Sequence, residues 1–293
     1  MDTKARPALA VSTKLSTKFQ PPTYDDGLVS RDRLISLLRS GRNKRLALIH
    51  APAGFGKTTL AVQWLRVLRS EGVPVAWLSL DRDDNDAVWF LSNLITAVRR
   101  VEPALAGELI DLLEERSQDV RRYVLTELVN QIAEYRRPLA IVFDDWHLID
   151  DPDAAAALDF LLNAGPDNLH LVITSRTRAP AIGRLKVRNQ VTEVDATLLR
   201  FDRQESAEFL LGINALALDN EAVNQLWTST DGWVAALQLA SLSLRNSDDP
   251  GALIRGFSGR HHSIGDYLAE NVLDALPEDL LDFLLTTSIC DRL

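Results

Sequence analysis

Apolar and polar positions follow two different rhythms along this chain, and the change between them divides it. Up to about residue 200, short apolar runs recur between longer amphipathic stretches. The runs are Arg45–His50, Val75–Leu80, Leu139–Phe143, His170–Thr174 and Val191–Val194, each bounded by turn or charged residues. Short runs with little alternation are expected of parallel strands buried on both faces. Helical spacing of apolar residues fills the gaps over Thr58–Arg69, Ala87–Val101, Leu105–Glu115, Arg121–Tyr135 and Ala154–Leu162. A shorter amphipathic helix, Arg31–Arg39, places Leu34, Ile35, Leu37 and Leu38 before the first run. Strand and helix in alternation imply right-handed βαβ crossovers and an open α/β sheet of five parallel strands.

From about Phe201 onward the pattern is helical. Asp202-Arg203-Gln204-Glu205 has the form of a capping box and opens a helix running to Leu211,. Further helices fit Glu221–Thr228, Val234–Leu244, Ile264–Leu276 and Glu278–Thr287, with Arg245–His262 read as a loop. At the other end, residues 1–17 lack periodicity and read as a mobile arm,. Lys18-Phe19-Gln20-Pro21-Pro22 reads as extended, because two prolines exclude a helix interior,. The expected organisation is an arm (1–17), an α/β domain (18–200), a helical domain (201–262) and the start of another domain (263–293). The chain stops soon after a strong helical pattern, which suggests a piece of a longer protein.

Composition removes several classes. The 293 residues are ample for a sizeable core and suggest about two domains,. An apolar content of 46% and a charged content of 25% are ordinary for a water-soluble globular protein,. Lys and Arg number 32 against 41 Asp and Glu, a net charge of −9, which argues against broad nonspecific nucleic-acid binding by this segment,. Cys290 is the only cysteine, so no intramolecular disulfide can form, as suits a reducing cytoplasm,. No apolar stretch is long enough to cross a bilayer, so no membrane partner is expected, and no secretory h-region opens the chain,.

The chemistry starts directly after the first apolar run. Residues 50–59 read His-Ala-Pro-Ala-Gly-Phe-Gly-Lys-Thr-Thr, a loop between a strand and a helix. Backbone N–H groups of Gly54, Phe55, Gly56 and Lys57 can wrap an anion, and glycine tolerates the backbone angles this requires. Lys57 would reach the β- and γ-phosphates and the Thr58 hydroxyl would bind Mg²⁺. The first helical turn, with Thr58 and Thr59, adds its positive dipole end. The strict phosphate-loop pattern has glycine where this chain has Ala51, while the Gly-x-Gly-Lys-Thr core is intact from Gly54 through Thr58,.

A second apolar run ends in Asp144-Asp145. Ligands of open α/β sheets gather at the carboxyl ends of the strands, so Asp144 would hold Mg²⁺ directly or through water. Asp145 would orient and polarise an attacking water. Another run ends in Thr174-Ser175-Arg176, where Arg176 can approach a γ-phosphate and report hydrolysis or stabilise its developing charge,. A plain acidic turn and a surface arginine are the bland readings of these two strand ends. Asp81, Asp83, Asp84 and Asp86 lack the glycine and distal glutamate of a Ca²⁺ loop and read as a solvated loop,. His147 reads as structural, and His261-His262 has no spaced partner for zinc,. Trp64, Trp77, Trp89 and Trp227 read as core, whereas Trp146 and Trp233 follow loop positions and read as interface residues. Arg178, Arg184, Lys186 and Arg188 could imitate the arginine-bearing lid of a small-molecule kinase, but the helical third would then lack a purpose.

Several segments in order carry a resemblance. They are Thr17 to Pro22, Leu28-Val29-Ser30-Arg31-Asp32-Arg33-Leu34, Ala51 to Thr59, Trp77-Leu78-Ser79-Leu80-Asp81, Asp144 to Ile149, Thr174-Ser175-Arg176, Asp231-Gly232-Trp233 and Leu237-Gln238-Leu239-Ala240. Together they resemble the ATPase region of large ATP-binding LuxR-type transcriptional regulators of the maltotriose-responsive activator type. These are signal-transduction ATPases with numerous domains, the STAND class. The resemblance implies an AAA+-related P-loop domain, a helical lid and a winged-helix domain beginning near residue 263. A sensor that binds an inducer and a C-terminal DNA-binding domain would lie outside this chain, with self-association in the ATP state. It implies ATP or ADP with Mg²⁺ as ligands and weak, regulatory ATP hydrolysis. It places Val29 and Arg31 at the adenine end, the loop residues Ala53 to Thr59 around the phosphates, and Lys57, Thr58, Asp144, Asp145 and Arg176 beside them. Ser30 stands where the family usually has glycine, and Gly232-Trp233-Val234 stands where it has Gly-x-Pro. Related modules also follow the catalytic domain of some serine/threonine protein kinases, whose own catalytic motifs this chain lacks.

Overall fold

The computed structural model describes residues 15–24, 27–107, 109–113, 118–178, 182–247, 249–257, 262–271, 273, 280–282 and 286. Most of the arm and nearly all of the segment beyond residue 271, including Cys290 and most of the helix expected over Glu278–Thr287, lie outside them; residues 280–282 and 286 of that helix are described and helical. The chain forms two compact units. The first comprises residues 1–23, 33–50 and 58–194, the second residues 24–32, 51–57 and 195–293.

The first unit is built on five parallel strands, β1 (Leu46–His50), β2 (Val75–Ser79), β3 (Leu139–Asp144), β4 (Leu169–Ser175) and β5 (Val191–Val194), in the order β2-β3-β4-β1-β5. All five expected strands are present with ends shifted by a residue or so. Every residue of β3 and β4 is buried, which is why their sequences are apolar without alternation,. The connecting helices are α1 (Asp32–Ser40), α2 (Lys57–Ser70), α3 (Ala87–Val101), α4 (Leu109–Leu112), α5 (Gln118–Tyr135), α6 (Pro152–Ala164) and α7 (Gly183–Val187). The core gathers Leu48, Leu78, Ile141 and Ile173 from the sheet with Phe90, Leu94, Val98 and Leu128 from the helices. Phe90, Phe143 and Trp146 meet with ring centroids 5.7–6.0 Å apart, so Trp146 is a core residue and not the interface residue its loop position suggested,.

Three local readings change. The helix expected over Leu105–Glu115 does not begin at Leu105: α4 starts at Leu109, because Ala106 takes φ 60° and its amide bonds to Gln131 Oε1 at 2.7 Å, and the expected last residues 114–115 lie outside the described ones,. Lys18-Phe19 closes a 3₁₀ turn, Ser16–Phe19, before the chain extends at Gln20. The acidic run after β2 is structural. Asp84 is fully buried, accepts from Asn93 Nδ2 at 2.7 Å and pairs with Lys18 Nζ, which also reaches Asp81 at 2.7 Å. Asp86 caps α3 through the amides of Val88 and Trp89,.

The second unit holds α8 (Ala196–Leu199), α9 (Arg203–Ala207), α10 (Asn220–Thr230), α11 (Val234–Arg245), α12 (Pro250–Gly256) and α13 (His262–Asn271). Its core joins Val29 with Phe201, Leu210, Leu226, Leu237, Ala240, Ile254 and Ile264. The capping box at Asp202 and Glu205 is formed in both directions, and the helix then widens into a π-turn over Glu208–Ile213,. Helix α12 occupies part of the segment read as a loop. Asp249 caps it and Pro250 opens it, a start signal outweighed in the sequence by neighbouring glycine and serine,.

Candidate functional site

Residues 51–56 leave the end of β1 and lead into α2. Gly54 and Gly56 adopt φ 79° and 76°, the left-handed region that glycine occupies without strain,. At position 54 space is also short, since a Cβ would lie 2.5 Å from Ala235 Cβ. Lys57 is buried to 7% exposure and its Nζ donates to Pro52 O at 3.0 Å, so the ammonium folds back over its own loop. The loop carbonyls are used within the second unit. Ala235 N–H donates to Gly54 O at 3.0 Å, and Trp233 Nε1–H donates to Ala53 O at 3.3 Å. The Trp233 ring lies 6.3 Å from Phe55 and 5.7 Å from Tyr267.

In the first unit, three strand and helix ends bring hydroxyls and carboxylates together. Asp144 ends β3, and its Oδ1 accepts from Thr58 Oγ1 at 2.9 Å and from Thr174 Oγ1 at 2.5 Å. Asp145 follows with φ 61° and ψ 43°, a left-handed conformation that aspartate tolerates better than most residues,. Its amide donates to Thr174 Oγ1 at 2.9 Å. One hydroxyl therefore donates to one aspartate and accepts from the backbone of the next. The Asp145 carboxylate is 44% exposed and 3.7 Å from His147 Nδ1. Arg176 is half-buried just past β4. A hydroxyl beside an ionisable carboxylate is an oxygen donor set suited to Mg²⁺, which takes few protein ligands and keeps water and phosphate as the rest. Thr58 and Asp144 fit that ion.

In the segment that the resemblance assigns to the adenine end, Val29 is buried in the second unit's core. Arg31 is 4% exposed and engaged by protein groups: Nε lies 2.9 Å from Glu205 Oε1 and Nη2 donates to Leu199 O at 2.9 Å. The guanidinium carbon also sits 4.8 Å from the Phe201 ring centroid,. Ser30 is accommodated where glycine is usual, its amide donating to Glu208 Oε1 at 3.2 Å and its hydroxyl to Asp32 Oδ1 at 2.7 Å. Beside β1, His50 Nε2 lies 2.9 Å from Glu193 Oε1. Burial pushes the Glu193 carboxyl up, but bonds from Lys186 and His50 and the charges of Lys186 and Arg178 outweigh it and hold the group below the ordinary carboxylate range,.

Three residues take contacts that the sequence reading did not give them. Thr174 was read only as part of the strand end Thr174-Ser175-Arg176, Glu205 only as a capping-box residue, and Trp233 only as an interface residue after a turn. Their partners lie 29, 174 and 180 residues away, so no local pattern announces them.

A parallel sheet with a phosphate loop after β1, and paired aspartates at the end of β3, one strand removed from it across β4, defines a P-loop nucleoside triphosphatase. The chain belongs to the AAA ATPase domain family, whose sequence profile matches residues 28–174. It is an ATPase module similar to regions of regulatory proteins. It is 48% identical over 278 residues to the serine/threonine-protein kinase PknK of Mycobacterium tuberculosis, covering 94% of this chain and 25% of that protein. It is 33% identical over 279 residues to the HTH-type transcriptional regulator MalT of Klebsiella pneumoniae, covering 94% of this chain and 30% of that protein. The chain thus spans between a quarter and a third of the length of these relatives. The fold is that of a STAND protein with a tetratricopeptide repeat sensor from Pyrococcus horikoshii (TM-score 0.57, 20% identity, 93% of this chain and 36% of that one). A Walker-type ATPase of Pyrococcus abyssi shares it also (TM-score 0.56, 17% identity, 91% of both chains). Among the described residues no helix is long and apolar enough to cross a membrane.

Proposed function

We propose that this chain is the nucleotide switch of a signal-responsive regulator, holding ADP at rest and ATP when active, with slow hydrolysis returning it to rest. The observation that carries the reading is the hydrogen-bonded trio Thr58, Asp144 and Thr174, joined to Asp145 through its amide. In this reading the backbone from Ala53 to Thr59 holds the phosphates and Lys57 neutralises charge at the β- and γ-positions. Thr58 and Asp144 would hold Mg²⁺, which supplies further neutralisation of phosphate charge when bound. Asp145 orients the water whose oxygen attacks the γ-phosphorus, and the products are ADP and inorganic phosphate. Arg176 reads the presence of the γ-phosphate. Val29 lies at the adenine end, with Arg31 holding that segment to the helices.

Residues 201–262 act as a helical lid and residues from 263 begin a winged-helix domain. An inducer binds outside this chain, ATP replaces ADP, and the protein self-associates and acts on DNA through a further domain. A ligand moves such a switch only through its different affinities for the two states. The identity to PknK, which covers nearly the whole of this chain, supports a second setting: a regulatory ATPase region attached to a serine/threonine kinase domain. The sequence of the full gene decides between the settings.

The first test is the nucleotide carried by the purified protein, released by denaturation and separated by ion-exchange chromatography. Near-stoichiometric ADP supports the resting switch. An empty site that also binds neither ADP nor ATP with Mg²⁺ overturns it. Asp145→Ala should keep nucleotide affinity and lower turnover about 100-fold, the usual contribution of a positioned general base. Equal turnover removes Asp145 from the chemistry.

A further inference from the structure

Helix α11 begins without a side-chain cap. Its N-cap residue is Trp233, which has no oxygen to accept from the first-turn amides,. One of those amides, Ala235 N–H, is satisfied by the phosphate loop itself, donating to Gly54 O at 3.0 Å. The indole of the same N-cap residue donates to Ala53 O at 3.3 Å. Two consecutive loop carbonyls are therefore held by two consecutive features of one helix start.

The consequence follows from the planarity of the peptide group. The carbonyl of Ala53 shares a plane with the N–H of Gly54, and the carbonyl of Gly54 with the N–H of Phe55. Those two N–H groups are among the donors that would face an anion in the loop. Fixing a carbonyl fixes the direction of the N–H in the same plane, and a bond accepted at the oxygen polarises the N–H into a stronger donor. The space around Gly54 is closed to match: a Cβ there would stand 2.8 Å from the Tyr267 hydroxyl and 2.9 Å from Trp233 Nε1. Phe55 and Tyr267 flank the Trp233 ring, at 6.3 and 5.7 Å, and hold the indole at its carbonyl.

We propose that Trp233 is a positioning residue for nucleotide binding, acting through the Ala53–Gly54 and Gly54–Phe55 peptide planes, with Ala235 N–H as its companion. The proposal rests on the phosphate-binding reading of the loop. It assigns to the start of α11 the orientation of the phosphate donors, so ADP and ATP gain equally and the hydrolytic step at saturation gains nothing.

The test uses the whole chain. ADP and ATP with Mg²⁺ are titrated calorimetrically into the wild type, Trp233→Phe and Lys57→Ala, alongside the melting temperature of each nucleotide-free protein and turnover at saturating ATP. Trp233→Phe keeps an aromatic ring and removes the N–H. It should raise the Kd of both nucleotides about five- to tenfold, the worth of one hydrogen bond, with unchanged turnover at saturation. A lower nucleotide-free melting temperature with unchanged Kd would make Trp233 structural only and overturn the proposal. Independently of any variant, the Ala235 amide of the wild type should exchange its hydrogen more slowly when ADP is bound, and equal exchange overturns the proposal. Nucleotide binding in the wild type and its loss in Lys57→Ala, with Trp233→Phe unaffected, removes Trp233 alone. A wild type that binds neither nucleotide removes the phosphate-loop reading, and the proposal falls with it.

Discussion

The strand-end cluster of the first unit and the phosphate loop of the second are built by opposite means. At the strand ends, side chains do the work: Thr58, Asp144 and Thr174 meet through hydroxyl and carboxylate oxygens. In the loop the backbone does it, with carbonyls held by Ala235 N–H and the Trp233 indole. Side-chain clusters tolerate change in the backbone around them but fail when one functional group is lost. A backbone cradle keeps its function through many side-chain changes and depends on whatever sets its peptide planes. The first kind is readable as residue types in a sequence; for the second, glycines announce the loop, while the groups that hold its carbonyls appear only in the tertiary structure.

Substitutions probe that contrast at different depths. The largest effect on stability is expected in the second unit, from Glu205→Ala. Glu205 both caps α9 and pairs with buried Arg31, so its loss strands a buried charge and should cost about 3–5 kcal/mol, read from urea unfolding of the helical unit,. An unchanged midpoint would mean that water reaches Arg31. Next, Lys57→Ala should weaken ADP binding about 100-fold, because charge-assisted bonds to phosphate disappear while the backbone cradle stays. A change below threefold would show that the cradle alone supplies the affinity. Thr174→Val, nearly isosteric, should cost about 1–3 kcal/mol by leaving the Asp145 amide without its acceptor, and should lower turnover more than nucleotide affinity,. Equal losses in both would place Thr174 in binding.

The smallest expected effect is a pH dependence at His170. Burial is the main cause that pushes its imidazole below the ordinary value of 6.5, with the Arg45 charge acting in the same direction. Its Nδ1 bonds to Lys44 O at 2.7 Å. The unfolded chain then takes up a proton near pH 6.5 that the folded chain refuses. Stability present above pH 6.5 is lost as pH falls toward the folded value, with a slope of at most about 1.4 kcal/mol per pH unit for one proton. Unfolding midpoints of the wild type and His170→Asn between pH 7.5 and 5.5 measure this, and equal slopes would assign the dependence elsewhere.

The sheet was legible because burial on both faces leaves a continuous apolar run that few other structures need. Thus β3 and β4 were expected from Leu139–Phe143 and His170–Thr174, and the structure extends each by only a residue or so at its ends. Helices α3 and α11 were equally clear, from apolar spacing that a core-facing stripe requires,. The failures share a cause. Leu105 to Leu113 carry helical spacing, yet the left-handed Ala106 and its bond to Gln131 keep Leu105–Gly107 out of the helix, a tertiary contact overriding local preference. Trp146 follows a turn like a surface residue, but Phe90 and Phe143 close over it. Asp84 sits in an acidic run like a solvated loop, but Lys18 and Asn93 make it a buried anchor.

By itself the sequence determined the α/β class, the five strands and most of the described helices after residue 200, and it carries the residue types proposed above for phosphate and Mg²⁺. Each of these depends on spacing within a dozen or so residues, where periodicity and turn chemistry act directly. The strand order, the sharing of Thr174 between Asp144 and Asp145, the burial of Arg31 against Glu205 and the hold of Trp233 on the loop were decided by tertiary structure alone. They join residues far apart in the chain, and which distant groups meet is fixed by the burial of whole faces and the need to satisfy every buried polar group.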